Sequence, residues 1–204
     1  MEDSKIHLSN AERELMQNAD VILTKNRVLE KMKLMLEEVQ LRQLAFTHQN
    51  NLSAKAPYII SPKISRGENY LGLPWLILDY PRMSGGDDLF FIRTMFWWGR
   101  FFSTTLHLAG SYKKELEERI GQSYEPLKDF SIGINDDPWA HHFEKDNYWH
   151  IGSMEAETFN ELCRSRQHLK LAITWPLLKW EEASKNLYQR WEFLVGLSDQ
   201  LPRR

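Results

Sequence analysis

Apolar residues recur at helical spacing between residues 9 and 47: Leu15, Ala19, Ile22, Leu29, Met32, Leu36 and Val39 fall on one stripe. Ser9 and Glu12 stand at capping-box spacing ahead of it, with Leu8 placed as a hydrophobic staple. Glu38 and Arg42 add an i,i+4 ion pair. A second cap at Asn18 or Asp20 divides the stretch. Unbroken from residue 19 to 47, the second piece would run about 43 Å at ~1.5 Å per residue. It must then flank the whole body of a domain this size, or break. Residues 48–56 are polar and predict a loop.

The period then changes. Tyr58–Ser65, Leu71–Pro81, Leu89–Trp98 and Phe101–Leu108 are rich in β-branched and aromatic residues and predict strands. Arg66-Gly67-Glu68-Asn69 predicts a tight hairpin, and Met83-Ser84-Gly85-Gly86-Asp87 a longer connection. Trp98-Gly99-Arg100-Phe101 predicts a two-residue turn with glycine first. Such short turns force antiparallel neighbours, hence a four-stranded meander over about residues 58–108.

Those turns imply a register: Arg66 opposite Asn69, Pro81 near Leu89, Trp98 opposite Phe101. One face is then almost wholly apolar, with Trp75, Ile77, Met95, Trp97, Phe102 and Leu106, and is expected to pack on helices. The other mixes Leu76, Leu78 and Ile92 with Tyr80, Thr94, Phe96, Trp98, Ser103, Thr105 and His107. Asp79 and Arg93 fall on the apolar face as diagonal neighbours. A mutual ion pair is the economical account of two charges there.

Further on, Ser111 is placed to cap a short helix with Tyr112, Leu116 and Ile120 as its stripe and Gly121 at its end. Residues 122–152 read as irregular, with short strands at Phe130–Ile134 and Asn147–Ile151. Ser153 starts a helix that turns Phe159, Leu162 and Cys163 inward. His168–Trp175 alternates, with Leu169, Leu171, Ile173 and Trp175 on one side and Lys170 and Thr174 on the other: a late strand. Pro176 then sits in the first turn of a last helix. The order predicts a single α+β domain over residues 1–204. Its sheet is mostly antiparallel, built on the meander plus the strand at about 168–175, and packed by a long N-terminal helical region and C-terminal helices.

The 26 basic and 28 acidic side chains leave a net charge of −2 with no basic stripe, which argues against nucleic acid as a partner. The one basic end, Arg203-Arg204, reads as a frayed tail. No apolar run approaches the ~20 residues of a membrane helix. The acidic start, Met1 to Lys5, has no apolar run behind it, so no secretory signal is expected. With a single cysteine, Cys163, these features predict a soluble cytoplasmic protein that makes no membrane contact. They leave the oligomeric state open.

The phosphate loop, the dinucleotide glycine fingerprint, the zincin helix and the serine nucleophile elbow are absent from the sequence. Cys163 reads as a small buried hydrophobe. The densest polar cluster runs from Asn135 to Asp146, followed by His150. Its His141, His142, Glu144 and His150, with Asp136 or Asp137, are the residue types that ligate zinc, iron or manganese or move protons. Adjacent histidines point apart on regular backbone, so the pair needs an irregular loop to reach one ion. The same stretch also reads as a solvated loop.

The second candidate is the mixed sheet face. Tyr80, Thr94, Ser103, Thr105 and His107 offer hydrogen bonds beside the apolar walls of Phe96 and Trp98, the two ingredients of a small-molecule site. The expectation is a non-enzymatic binding module that uses this face for a small apolar ligand or a partner segment. The alternative is a metal-dependent or acid–base hydrolase centred on the loop from Asp136 to His150. No cofactor is specified by either pattern.

Overall fold

The computed structural model describes residues 6–199, so both the acidic start and Arg203-Arg204 lie outside the described residues. The N-terminal helices form where expected, but Leu15, Ala19 and Ile22 of the expected stripe are exposed, because the first helix and the start of the second run beyond the sheet they would have to cover. The helix α1 (Asn10–Gln17) is closed by a capping box: the Ser9 hydroxyl accepts the Glu12 N–H at 3.2 Å while the Glu12 carboxylate accepts the Ser9 N–H at 2.7 Å. Asn18 interrupts the helix with extended backbone and its side chain accepts the Asp20 N–H at 3.1 Å, capping α2 (Ala19–Gln49). Leu29, Met32, Leu36 and Val39 form the buried stripe of α2.

Four consecutive strands follow: β1 (Lys63–Tyr70), β2 (Leu73–Gly85), β3 (Asp88–Trp97) and β4 (Phe101–Ala109). The predicted meander is present, but its turns sit elsewhere. Arg66–Asn69 is strand, and the reversal comes at Leu71-Gly72, both left-handed (φ +49° and +81°), where the Asn69 side chain accepts the Gly72 N–H at 3.0 Å. Tyr58–Ser61 is therefore not strand but part of the turns that precede β1. The expected glycine-rich connection tightens to Gly86-Asp87, with Gly85 opposite Asp88. The third reversal holds three residues, not two: Trp97 pairs with Phe101, around Gly99 at φ +67°.

That one-residue difference overturns the expected faces. In β4, Phe102, Leu106 and Leu108 do pack on the helices. In β2 and β3 the helix-facing residues are Leu76, Leu78, Phe90, Ile92 and Phe96. Trp75, Ile77, Met95 and Trp97 lie on the opposite side, where Ile77, Met95 and Trp97 form a small separate cluster.

After β4 come α3 (Gly110–Gly121) and α4 (Tyr124–Leu127), the short strands β5 (Ser131–Gly133) and β6 (Tyr148–His150), α5 (Ala156–Ser165), β7 (His168–Pro176) and α6 (Trp180–Ser198). Ser111 does not cap α3; the Asp88 carboxylate accepts the Ser111 N–H at 2.6 Å instead. Pro176 closes β7 rather than opening the last helix, and a short 3-10 turn, Leu177–Lys179, intervenes. The sheet is antiparallel, in the order β1-β2-β3-β4-β7-β5-β6, in keeping with the α+β class. Helices α2 and α6 cover one face. Trp191 of α6 is fully buried there, stacks on Tyr80 and donates its indole N–H to the Tyr80 carbonyl. No helix among the described residues is long and apolar enough to cross a membrane.

Candidate functional site

The face turned away from the helices carries charge. Register alone brings Asp79, Arg93, Thr105 and Ala172 into one row across β2, β3, β4 and β7, and Phe91, His107 and Lys170 into the next. Asp79 and Arg93 are directly opposite, not diagonal. They form the expected pair, two parallel bonds from Nε and Nη2 to the two carboxylate oxygens at 2.8 and 2.9 Å. Lys170 is 1% exposed and belongs to a strand otherwise buried among Leu169, Leu171 and Ala172. Its neighbour on β5 is Gly133, where a side chain would meet the lysine Cβ at 3.0 Å. The missing side chain lets the lysine stem cross towards β6, where its ammonium lies 5.1 Å from the ring centroid of Tyr148.

The segment 134–147, between β5 and β6, folds back over this face. Its ends are joined by the Ile134 N–H to the Asn147 carbonyl at 2.8 Å. Inside it, Asn135 and Asp137 accept the N–H groups of Asp137 and Trp139, turns that asparagine and aspartate favour. Four tethers hold it to the sheet. Lys170 donates to the Ala140 carbonyl. Arg93 Nη1 lies 2.8 Å from His141 Nε2. The Tyr70 hydroxyl accepts the N–H groups of His141 and His142 at 2.6 and 3.1 Å. Trp139 packs edge-on against His107 and Phe91, while Phe143 stacks on Tyr148 with centroids 4.4 Å apart.

Burial and crowding of cations set the protonation states. Burial first, then Lys170, His168 and Arg93, pushes His107 down to about 3. His141 is held well below its ordinary value by burial and then by Arg93. Burial lowers Lys170 to about 8 against the pull of Asp137, and raises the Tyr148 hydroxyl. At neutral pH both histidines are neutral and Lys170 is still mostly charged. Lys170 makes no ion pair among the described residues, whereas Arg93 is matched by Asp79. Among the described residues Lys170 is thus a buried cation of this site with no direct carboxylate contact, Asp137 acting on it only at longer range.

The residues expected to line one pocket are divided by the sheet. Ser103, Thr105 and His107 lie on the charged face beneath the loop. Tyr80, Thr94 and Phe96 lie on the helix face, because β3 is one residue out of step with the expected register. Tyr80 there hydrogen-bonds Thr47 at 3.0 Å. Trp98 is in the β3–β4 turn, edge-on to Phe96. The expected metal ligands do not converge either: His141 meets Arg93, His142 lies 3.9 Å from Asp146, and Glu144 and His150 are exposed. Among the described residues no three of His, Cys, Asp and Glu are placed to hold one ion.

Sequence reasoning passed over Tyr70, Lys170 and Tyr148 as site residues. A lone lysine amid apolar strand residues was the available signal for Lys170; tyrosines at strand ends gave none. Against protein-family models, curated proteins and solved structures, the chain finds no match.

Proposed function

We propose that the protein is a binding module that takes a small organic anion with an apolar body onto the charged sheet face beneath segment 134–147. The observation that carries this is Lys170, a fully buried ammonium whose bond goes to a carbonyl and not to a carboxylate. An unpaired buried charge is costly, and a carboxylate or phosphate ester replacing the Ala140 carbonyl would relieve it. Arg93 stands beside it, and Trp139, Phe91 and Phe143 supply aromatic walls. For the ligand to enter, the segment must lift at Ala140 and His141.

The test is calorimetric titration with benzoate, phenylacetate and phenyl phosphate. Binding near pH 7 that weakens above about pH 8, as Lys170 loses its proton, and that disappears in Lys170→Met, supports the reading. No binding by any of the three, or binding unchanged in Lys170→Met, overturns it.

The lowered Lys170 also favours a second reading, an amine nucleophile for carbonyl substrates. The neutral amine would add to a carbonyl carbon and release water, leaving an imine. Borohydride reduction with a small aldehyde, followed by mass spectrometry, would then place the adduct on Lys170. Labelling confined to exposed lysines would refute it.

A further inference from the structure

A separate cavity lies on the helix-facing side. Strand β5 pairs with β7 only at Ser131–Ala172 and Ile132–Leu171, so β7 from Ile173 onward has no strand partner on that edge. A cavity of about 160 Å³ opens there between β4, β7 and α6. Cavities near 150 Å³ accept a benzene ring, so this one suits a single small aromatic group. Trp175, Ile173 and Leu187 form its apolar wall.

Its polar lining is only partly spent: Asn186 donates its amide to the Glu182 carbonyl at 2.9 Å, but some of the other polar groups there do not pair among the described residues. Thr104, fully buried, borders the cavity, and its hydroxyl has no hydrogen-bond partner among the described residues. Its cross-strand neighbour Thr94 is in the same condition. Each orphaned hydroxyl costs about 1–3 kcal/mol, and valine would fill the same shape without that cost, so folding does not explain the choice. Asp129 and Arg190 also border the cavity. Neither makes a side-chain hydrogen bond or ion pair among the described residues.

The geometry points to a binding site for a small zwitterion, an α-amino acid with a hydroxylated aromatic side chain. Its ammonium pairs with Asp129 and its carboxylate with Arg190. Its ring lies against Trp175 and Leu187, and its phenol reaches the Thr104 hydroxyl. This does not rest on the anion site, which lies on the other face of the sheet and uses none of these residues.

The experiment is calorimetric titration of the intact protein with L-tyrosine, L-phenylalanine, tyramine and 3-(4-hydroxyphenyl)propionate. L-tyrosine is expected to bind about tenfold more tightly than either singly charged analogue, one charge-assisted contact each, and more tightly than L-phenylalanine. Thr104→Val is expected to keep the fold and abolish the tyrosine-over-phenylalanine preference. Arg190→Gln is expected to weaken L-tyrosine and the propionate and leave tyramine unchanged. No binding of L-tyrosine, equal binding of all four compounds, or an unaltered tyrosine preference in Thr104→Val would overturn the proposal. Should Thr104→Val fail to fold, the Arg190→Gln result alone decides: equal loss for tyramine and the propionate refutes the charge assignment.

Discussion

The two faces of the sheet solve burial in opposite ways. The helix face buries Phe102, Leu106, Leu78 and Trp191 against regular helices, through area removed from water. The other face buries Asp79, His107 and Lys170 under irregular backbone: a bidentate ion pair holds Asp79, a hydrogen bond holds Lys170, and edge-on rings pack against His107. An apolar contact tolerates small displacements; a buried charge does not. The helix face should therefore carry the stability, and the loop face the specificity.

The sharpest way to break that comparison is a large truncation on each side. Trp191→Ala should cost about 4 kcal/mol, since it opens a cavity in a fully buried position and strips the Tyr80 carbonyl of its donor. Phe143→Ala, in the half-buried loop, should cost about 1 kcal/mol. Urea unfolding measures both, and equal losses would erase the distinction. Next in size, Asp79→Asn should cost about 3 kcal/mol by leaving Arg93 unmatched, whereas Asp79→Leu with Arg93→Met should be close to neutral. A double variant as damaged as the single one would show that the pair stabilises the fold.

The third test is pH. His107 is lowered from 6.5 to about 3, so the unfolded chain binds a proton that the folded one refuses. Its contribution is complete above 6.5 and is lost as pH falls towards 3, about 2 kcal/mol by about pH 5. Lys170 follows the same sign in a higher window: folded near 8 and unfolded near 10.5, it makes stability rise as pH climbs between those values. Chemical denaturation across pH, repeated on His107→Leu and Lys170→Met, should flatten each window separately. The smallest effect belongs to the turn that sets the register: Gly99→Ala, at φ +67°, should cost about 1 kcal/mol by thermal unfolding.

That turn also marks the limit of what the sequence disclosed. Helix caps are local chemistry, and Ser9, Glu12 and Asn18 do what their side chains predict. The alternation of β7 was equally legible, as was the existence of a meander. Register was not, because Gly99 serves two- and three-residue loops alike, and the choice between them exchanges the faces of β2 and β3. For the site, the Asp79–Arg93 pair could be read, whereas the metal set expected of His141, His142, Glu144 and His150 does not converge among the described residues. The partners of the His141 segment could not be read: Tyr70 and Lys170 lie 71 and 30 residues from His141 and Ala140, whose backbone they hold. Only the strand order unites them.

That order has a consequence for synthesis. Strand β7 is inserted between β4 and β5, though it is made after both. On a ribosome, the first four strands can assemble while the outer edge of Phe101–Ala109 still lacks its neighbour. Residues 131–150 then have no rail to dock on. A chain stalled before residue 168 would present that bare row of amides, flanked by phenylalanine and leucine, to any other polypeptide in reach. The charged face, lid included, cannot be completed before β7 has been made.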